Sequence, residues 1–117
     1  MSKTEKLRIK LFMFEDCPNT PIARDRLMTA LRAEGVAAEV ETIDVSTVEL
    51  ANELHFLGSP SIRINDTDVE AEAGSRTSYG LMCRTYEVNG RMEGAPSVDQ
   101  IRSAIRAAVP PHEHENA

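Results

Sequence analysis

The apolar residues of this chain switch between a strand period and a helix period twice in its first half, and that alternation restricts the fold more than any other feature. Residues 7–14, LRIKLFMF, place Leu7, Ile9, Leu11 and Met13 on one face and then become apolar on both, the pattern of a strand whose far end is buried. After the turn EDCPNT, Ile22, Ala23, Leu27, Ala30 and Leu31 recur at helical spacing, and Gly35 supplies the stop. AAEVETIDV, with Val40, Ile43 and Val45, reads as the second strand. Ser46 and Glu49 then form an S-x-x-E capping box for a helix carrying Leu50, Ala51, Leu54 and Leu57 and closing at Gly58. Strand, helix, strand in this order demands a crossover, hence parallel pairing of the first two strands in a sheet covered by helices.

The second half is less regular. Pro60 opens a third strand, SPSIRIND, in which Ile62 and Ile64 alternate with Ser61 and Arg63 before an Asn-Asp turn. Residues 67–80 have no clear period and read as a long excursion with a short extended piece at Val69. LMCRTYEV regains strand character through Thr85, Tyr86 and Val88 and ends at the turn Asn89-Gly90. Ser97 and Gln100 make a second capping box, for a helix with Val98, Ile101, Ile105 and Ala108 on one face and Pro110 and Pro111 as its stop. The expected architecture is a single α/β domain over residues 1–109, β-α-β-α-β-β-α, with a central four-stranded mixed sheet. A disordered polar tail, 110–117, is expected after it.

Composition removes several function classes. A formal charge of −6 opposes a phosphate-binding surface, and the scarcity of aromatics leaves little to stack on bases, so nucleic acid is not an expected partner. The apolar start of the chain is short and interrupted by Arg8 and Lys10, which suits neither a signal segment nor a membrane span; a cytoplasmic protein is expected. Cys17 and Cys83, far apart in a reducing compartment, do not read as a structural disulfide. His112 and His114 alternate with Glu113 and Glu115 as a solvated tail rather than a metal site.

Cys17 sits between Asp16 and Pro18 in a turn, which is not the setting of a packing residue. A thiol is a nucleophile only as thiolate, and the N-terminal end of a helix stabilises that anion through unpaired N–H groups and the helix dipole. Two cap assignments fit: Cys17 as cap with Pro18 first in the helix, or Thr20 as cap with Pro21 first. Glu15 and Asp16 oppose a nearby anion, but at about 7 Å in high dielectric each contributes only about 0.6 kcal/mol. Cys83, on a predicted strand between Met82 and Arg84, reads as a small buried hydrophobe. Simple hairpin topology would place it at the pole opposite Cys17 unless residues 67–80 fold back. Arg63, Arg76, Arg84 and Arg91 read as surface groups able to meet carboxylates, His55 as a partly exposed helical residue, and Tyr79 and Tyr86 as packed rings with hydroxyls in water.

The element order, together with CPNTP, FLGSPSIRIN and YGLMCRTY, resembles the thioredoxin-like fold in its short glutaredoxin form over residues 7–108. It is similar in particular to a family of small bacterial proteins of that fold, some with selenocysteine at the position of Cys17 and some labelled alkylmercury lyases. The resemblance implies a sheet ordered second, first, third, fourth strand. It implies Cys17 as the attacking thiol, Pro18 as the residue after it, and Pro60 as a cis-proline beside the thiol whose turn offers backbone groups to an extended substrate. Thr20 takes the place of a second cysteine and departs from it, so the motif is C-x-x-T. The expected function is single-thiol disulfide exchange on a small thiol or protein disulfide, with no bound cofactor or metal and with glutathione or another small thiol as reductant. Resolution falls to an external thiol, which the hairpin argument favours, or to Cys83. The rival readings are a soft-metal or mercurial handling protein using Cys17 and Cys83 with Asp16 aiding protonolysis, and a non-catalytic binding module.

Overall fold

The computed structural model describes residues 6–109. The expected tail at 110–117, with His112 and His114, lies outside the described residues.

β1 (Leu7–Met13) organises the sheet: it pairs in parallel with β2 (Ala38–Asp44) on one side and antiparallel with β3 (Ser61–Ile64) on the other. Its alternation divides the core as the sequence pattern demands. Leu7, Ile9 and Leu11 face one cluster, which α1 (Thr20–Glu34) and α3 (Val98–Ala108) complete with Ala23, Leu27, Ala30, Leu31, Ile101 and Ile105. Phe12, pointing the other way, joins Val45, Phe56 and Ala51 of α2 (Val48–Glu53) in a second, smaller cluster. Full burial of each large side chain contributes about 1.5–3 kcal/mol, so the sheet is held from both faces. β2 is an edge strand with most side chains exposed, and its Glu39 and Glu41 discourage pairing with another chain.

The helix ends correct both cap assignments and the first capping box. α1 begins at Thr20 with Asn19 as its cap, so neither Cys17 nor Thr20 caps it, and Pro21 falls at the second helical position, where a missing N–H costs nothing. Gly35, at φ +66°, closes it with its N–H on the carbonyls of Leu31 and Arg32. Thr47, not Ser46, caps α2, its hydroxyl accepting from Leu50 N–H at 3.0 Å. That helix stops near Leu54, short of Gly58, and Arg63 donates to the free carbonyls of Leu54 (2.7 Å) and His55 (2.8 Å) at its end. Ser97 caps α3 as its sequence indicates, accepting from Gln100 N–H at 3.0 Å.

The larger correction concerns the fourth strand. Asn65 and Asp66, with φ of 50° and 71°, make a two-residue turn, and β4 (Thr67–Asp68) pairs antiparallel with β3. The four-stranded mixed sheet therefore runs β2-β1-β3-β4, with β4 drawn from the segment expected to be an excursion. LMCRTYEV is not a strand of that sheet. Tyr86–Val88 (β5) and Arg91–Glu93 (β6) form their own hairpin around Asn89-Gly90, and Leu81–Arg84 lies as a strap against the turn before β3, touching it through one parallel bridge between Ser59 and Cys83. No helix among the described residues is long and apolar enough to cross a membrane.

Gly58 permits that contact. Its φ is +122°, and a Cβ there would lie 3.0 Å from Arg84 Cβ and 3.1 Å from the Met82 carbonyl oxygen. Gly58→Ala is expected to lower stability by about 1–3 kcal/mol, read as a fall in the urea midpoint; an unchanged midpoint would show that the strap does not press on this turn.

Candidate thiol site

Cys17 lies in the turn between β1 and α1, two residues ahead of the Asn19 cap, with its N–H on the carbonyl of Phe14 at 3.1 Å. The residue is 6% exposed. Burial pushes its pKa up, yet the hydroxyls of Ser59 and Thr20 and the backbone N–H groups of Asn19 and Thr20 outweigh that effect, and the net displacement is downward. Two of the four donors come from the start of α1, one is the Thr20 side chain, and the fourth reaches across from the turn before β3. The hydroxyl of Ser59 also accepts from Phe14 N–H at 3.4 Å, which occupies a lone pair and leaves its proton for the sulfur. Thr20 Oγ1 is buried without a hydrogen-bond partner, so its proton is available once the thiol ionises.

The Ser59–Pro60 bond is cis, and Pro60 is fully buried behind Cys17's partner Ser59. The backbone groups of Ser59 are not open to a substrate, however. Its N–H donates to Met82 O at 2.8 Å and its carbonyl accepts from Arg84 N–H at 3.0 Å, so the chain's own strap holds the place expected for an extended ligand. Cys83 is the centre of that strap, and three sequence expectations fail together. It is exposed rather than buried, it lies on no strand, and it is beside the Cys17 region rather than at the opposite pole, because residues 67–80 do fold back.

Arg84, expected at the surface, is 4% exposed and fixes the strap. Its guanidinium donates to both carboxylate oxygens of Asp68 at 2.8 Å, to Glu70 at 2.9 Å and to Ser61 Oγ at 2.8 Å, and lies over the Tyr86 ring at 4.5 Å. Burial acts to lower its pKa, but Asp68 and Glu70 raise it further, so the charge is permanent. Tyr86, expected to have a wet hydroxyl, is buried and donates to Pro60 O at 2.6 Å; burial pushes its pKa up. His55 sits after α2 rather than on it, stacked on Tyr79 at 4.7 Å. Ser59 is the residue of this site that the sequence pattern does not single out, whereas Arg84 does meet carboxylates as expected, but buried ones of its own chain. The only signal for Ser59 was its place before Pro60.

A cleft of about 300 Å³ opens beside the thiol turn, walled by Phe14, Asp16, Asp44, Val45 and Leu81. Comparison with protein-family models, with curated proteins and with solved structures finds no match to the chain.

Two expectations follow from these charges. Ser59→Ala removes a donor to the thiolate, so the pKa of Cys17 should rise and its alkylation at neutral pH should slow on the order of tenfold, since a hydrogen bond to a charged group contributes about 1.5–3 kcal/mol. A pH–rate profile of iodoacetamide labelling checks it, and an unchanged profile would remove Ser59 from the site. Glu70 is subject to burial, which raises its pKa, but hydrogen bonds from Arg76 and Arg84 bring it below the ordinary carboxylate value. A carboxyl depressed in the folded state stabilises the fold fully above its unfolded value of about 4.3 and loses that contribution as pH falls through the folded value. The stability gap between the protein and Glu70→Gln, measured by urea titration, is therefore expected to be largest near neutrality and to shrink below about pH 4.

Proposed function

We propose that the protein is a thioredoxin-like thiol–disulfide exchange protein in which Cys17 thiolate is the nucleophile. The observation that carries this reading is the setting of Cys17, a buried thiol in the turn just ahead of α1, with the Ser59 hydroxyl bonded to that turn and the Thr20 Oγ1 unpartnered at the start of α1, where the net pKa displacement is downward despite burial. A packing cysteine needs no such donors, and burial alone would make it inert. The supporting geometry is a thiol just ahead of α1, the Pro60 turn leading into β3 beside it, and an adjacent cleft.

The step this arrangement can perform is an in-line attack of Cys17 Sγ on one sulfur of a disulfide, forming a mixed disulfide and releasing the other sulfur as thiolate. The donors that stabilise Cys17 as anion also make it a good leaving group, which suits a reversible exchange. The physiological setting proposed is the cytoplasm, with a small thiol as the ultimate reductant.

The test is turnover of hydroxyethyl disulfide in the presence of glutathione, followed as oxidised glutathione formed. The protein is expected to accelerate the exchange, and Cys17→Ser to fall to the rate without protein. Equal rates for the two proteins would rule out the reading.

A further inference from the structure

The strap raises a question that the nucleophile does not answer. Residues 81–84 contribute little to either core, with Leu81, Met82 and Cys83 exposed, yet they are fastened at several points. Gly80 N–H bonds to Phe56 O at 3.1 Å ahead of the strap, and both backbone bonds of the Ser59 bridge hold its middle. Arg84 anchors its end in Ser61, Asp68 and Glu70, and Tyr86 ties the following residue pair to Pro60. What these ties hold in place is Cys83, directly paired with Ser59. Ser59 is in turn tied to the thiol turn: its hydroxyl accepts from Phe14 N–H at 3.4 Å, and the Phe14 carbonyl accepts from Cys17 N–H at 3.1 Å.

We propose that Cys83 is the resolving thiol of this protein, so that Cys17 and Cys83 form its redox couple across Ser59. The proposal rests on the reading of Cys17 as exchange nucleophile. Adjacent strands lie about 4.8 Å apart, so the bridge brings the Cys83 backbone to one strand spacing from Ser59. Cys83 thus occupies the position, in extended backbone pairing with the turn before β3, that an external substrate would otherwise take. The bridge runs through Met82 O and Arg84 N–H, so the exposed Cys83 is held at the turn by its two neighbours. Thr20 offers no sulfur on α1, which leaves Cys83 as the second thiol of the chain.

The chemistry balances in three steps. Cys17 thiolate attacks R–S–S–R′ to give Cys17–S–S–R, and R′S⁻ leaves and takes a proton. Cys83, deprotonated, attacks Cys17 Sγ; the S–S bond between Cys17 Sγ and the sulfur of R breaks, RS⁻ leaves and takes a proton, and a Cys17–Cys83 disulfide remains. The substrate has gained two electrons and two protons and the protein has lost them. Two equivalents of a monothiol, or one dithiol, then reduce the protein, and the exposure of Cys83 gives that reductant a sulfur to attack.

The experiment treats the reduced protein and its Cys83→Ser variant with hydroxyethyl disulfide, quenches with acid, and reads intact mass and peptide maps. Because Cys83 is exposed, the variant is expected to keep its circular dichroism spectrum and urea midpoint. The protein itself should lose two hydrogen masses and yield a Cys17–Cys83 linked peptide without a lasting adduct, whereas Cys83→Ser should retain mercaptoethanol on Cys17. A mercaptoethanol adduct that persists on Cys17 equally in both proteins, with no linked peptide, would overturn the resolving role and leave the exchange reading standing. No modification of Cys17 in either protein would overturn the exchange reading itself, and the proposal with it.

Discussion

The burial of Arg84 against Asp68 and Glu70 is the interaction on which the geometry of the site depends. A guanidinium taken out of water is costly unless its donors are met, and here Asp68 accepts two bonds while Glu70 and Ser61 accept others, leaving only Nε without a partner. Removing one side of such a pair costs about 3–5 kcal/mol, because the other charge remains buried. The network joins β3, β4 and the strap, three segments that share no apolar cluster of their own, and it is why a two-residue strand such as β4 has a defined place. With Arg84 fixed, Met82 and Arg84 meet Ser59, Tyr86 meets Pro60, and the turn before β3 is clamped from the side facing the strap.

That clamp bears on the thiol through Ser59. Burial of Cys17, 6% exposed, pushes its thiol toward the protonated form, and the net downward displacement comes from the polar groups that face it. The α1 start supplies the backbone N–H groups, oriented by the helix they begin. The Ser59 hydroxyl is oriented by Phe14 N–H and by the two backbone bonds to the strap. Local helix geometry and a non-local clamp therefore act on the same atom. Glu15 and Asp16, adjacent in sequence and exposed, are too well solvated to reverse the result.

The parts of the fold that could be read from the sequence are those with enough residues to show a period. β1, α1, β2 and α3 appear within a residue or two of their expected limits, because Leu7 to Leu11, Ala23 to Leu31 and Ile101 to Ile105 each present several buried positions in phase. β4 has two residues and no period, so its signal is the Asn65-Asp66 turn rather than its own composition. LMCRTYEV misleads for the opposite reason: Thr85, Tyr86 and Val88 favour extended backbone, which they adopt, but no local feature says which partner an extended segment pairs with. Cys17 and Pro60 stood out through their neighbours, whereas Ser59, Arg84 and the location of Cys83 follow from contacts between residues well separated in sequence, 14 and 16 positions for Arg84 with Glu70 and Asp68. Arg84 in particular reads as a surface residue until Asp68 and Glu70 are known to face it.

The strap also supplies one wall of the cleft beside the thiol turn. The cleft beside the thiol turn is bounded on one side by Phe14, Asp16 and the end of β2, which belong to the rigid sheet and its adjoining turn, and on the other by Leu81. Leu81 precedes the bridged pair and has no anchor comparable to Arg84, so the wall of the cleft that carries least packing is the one attached to the strap. Gly80 N–H on Phe56 O and the Ser59 bridge tie residues 81–83 at two points, and the Arg84 network ties their end. One wall of the cleft and the placement of the exposed thiol thereby come from the same four residues, tied at one end by a buried charge.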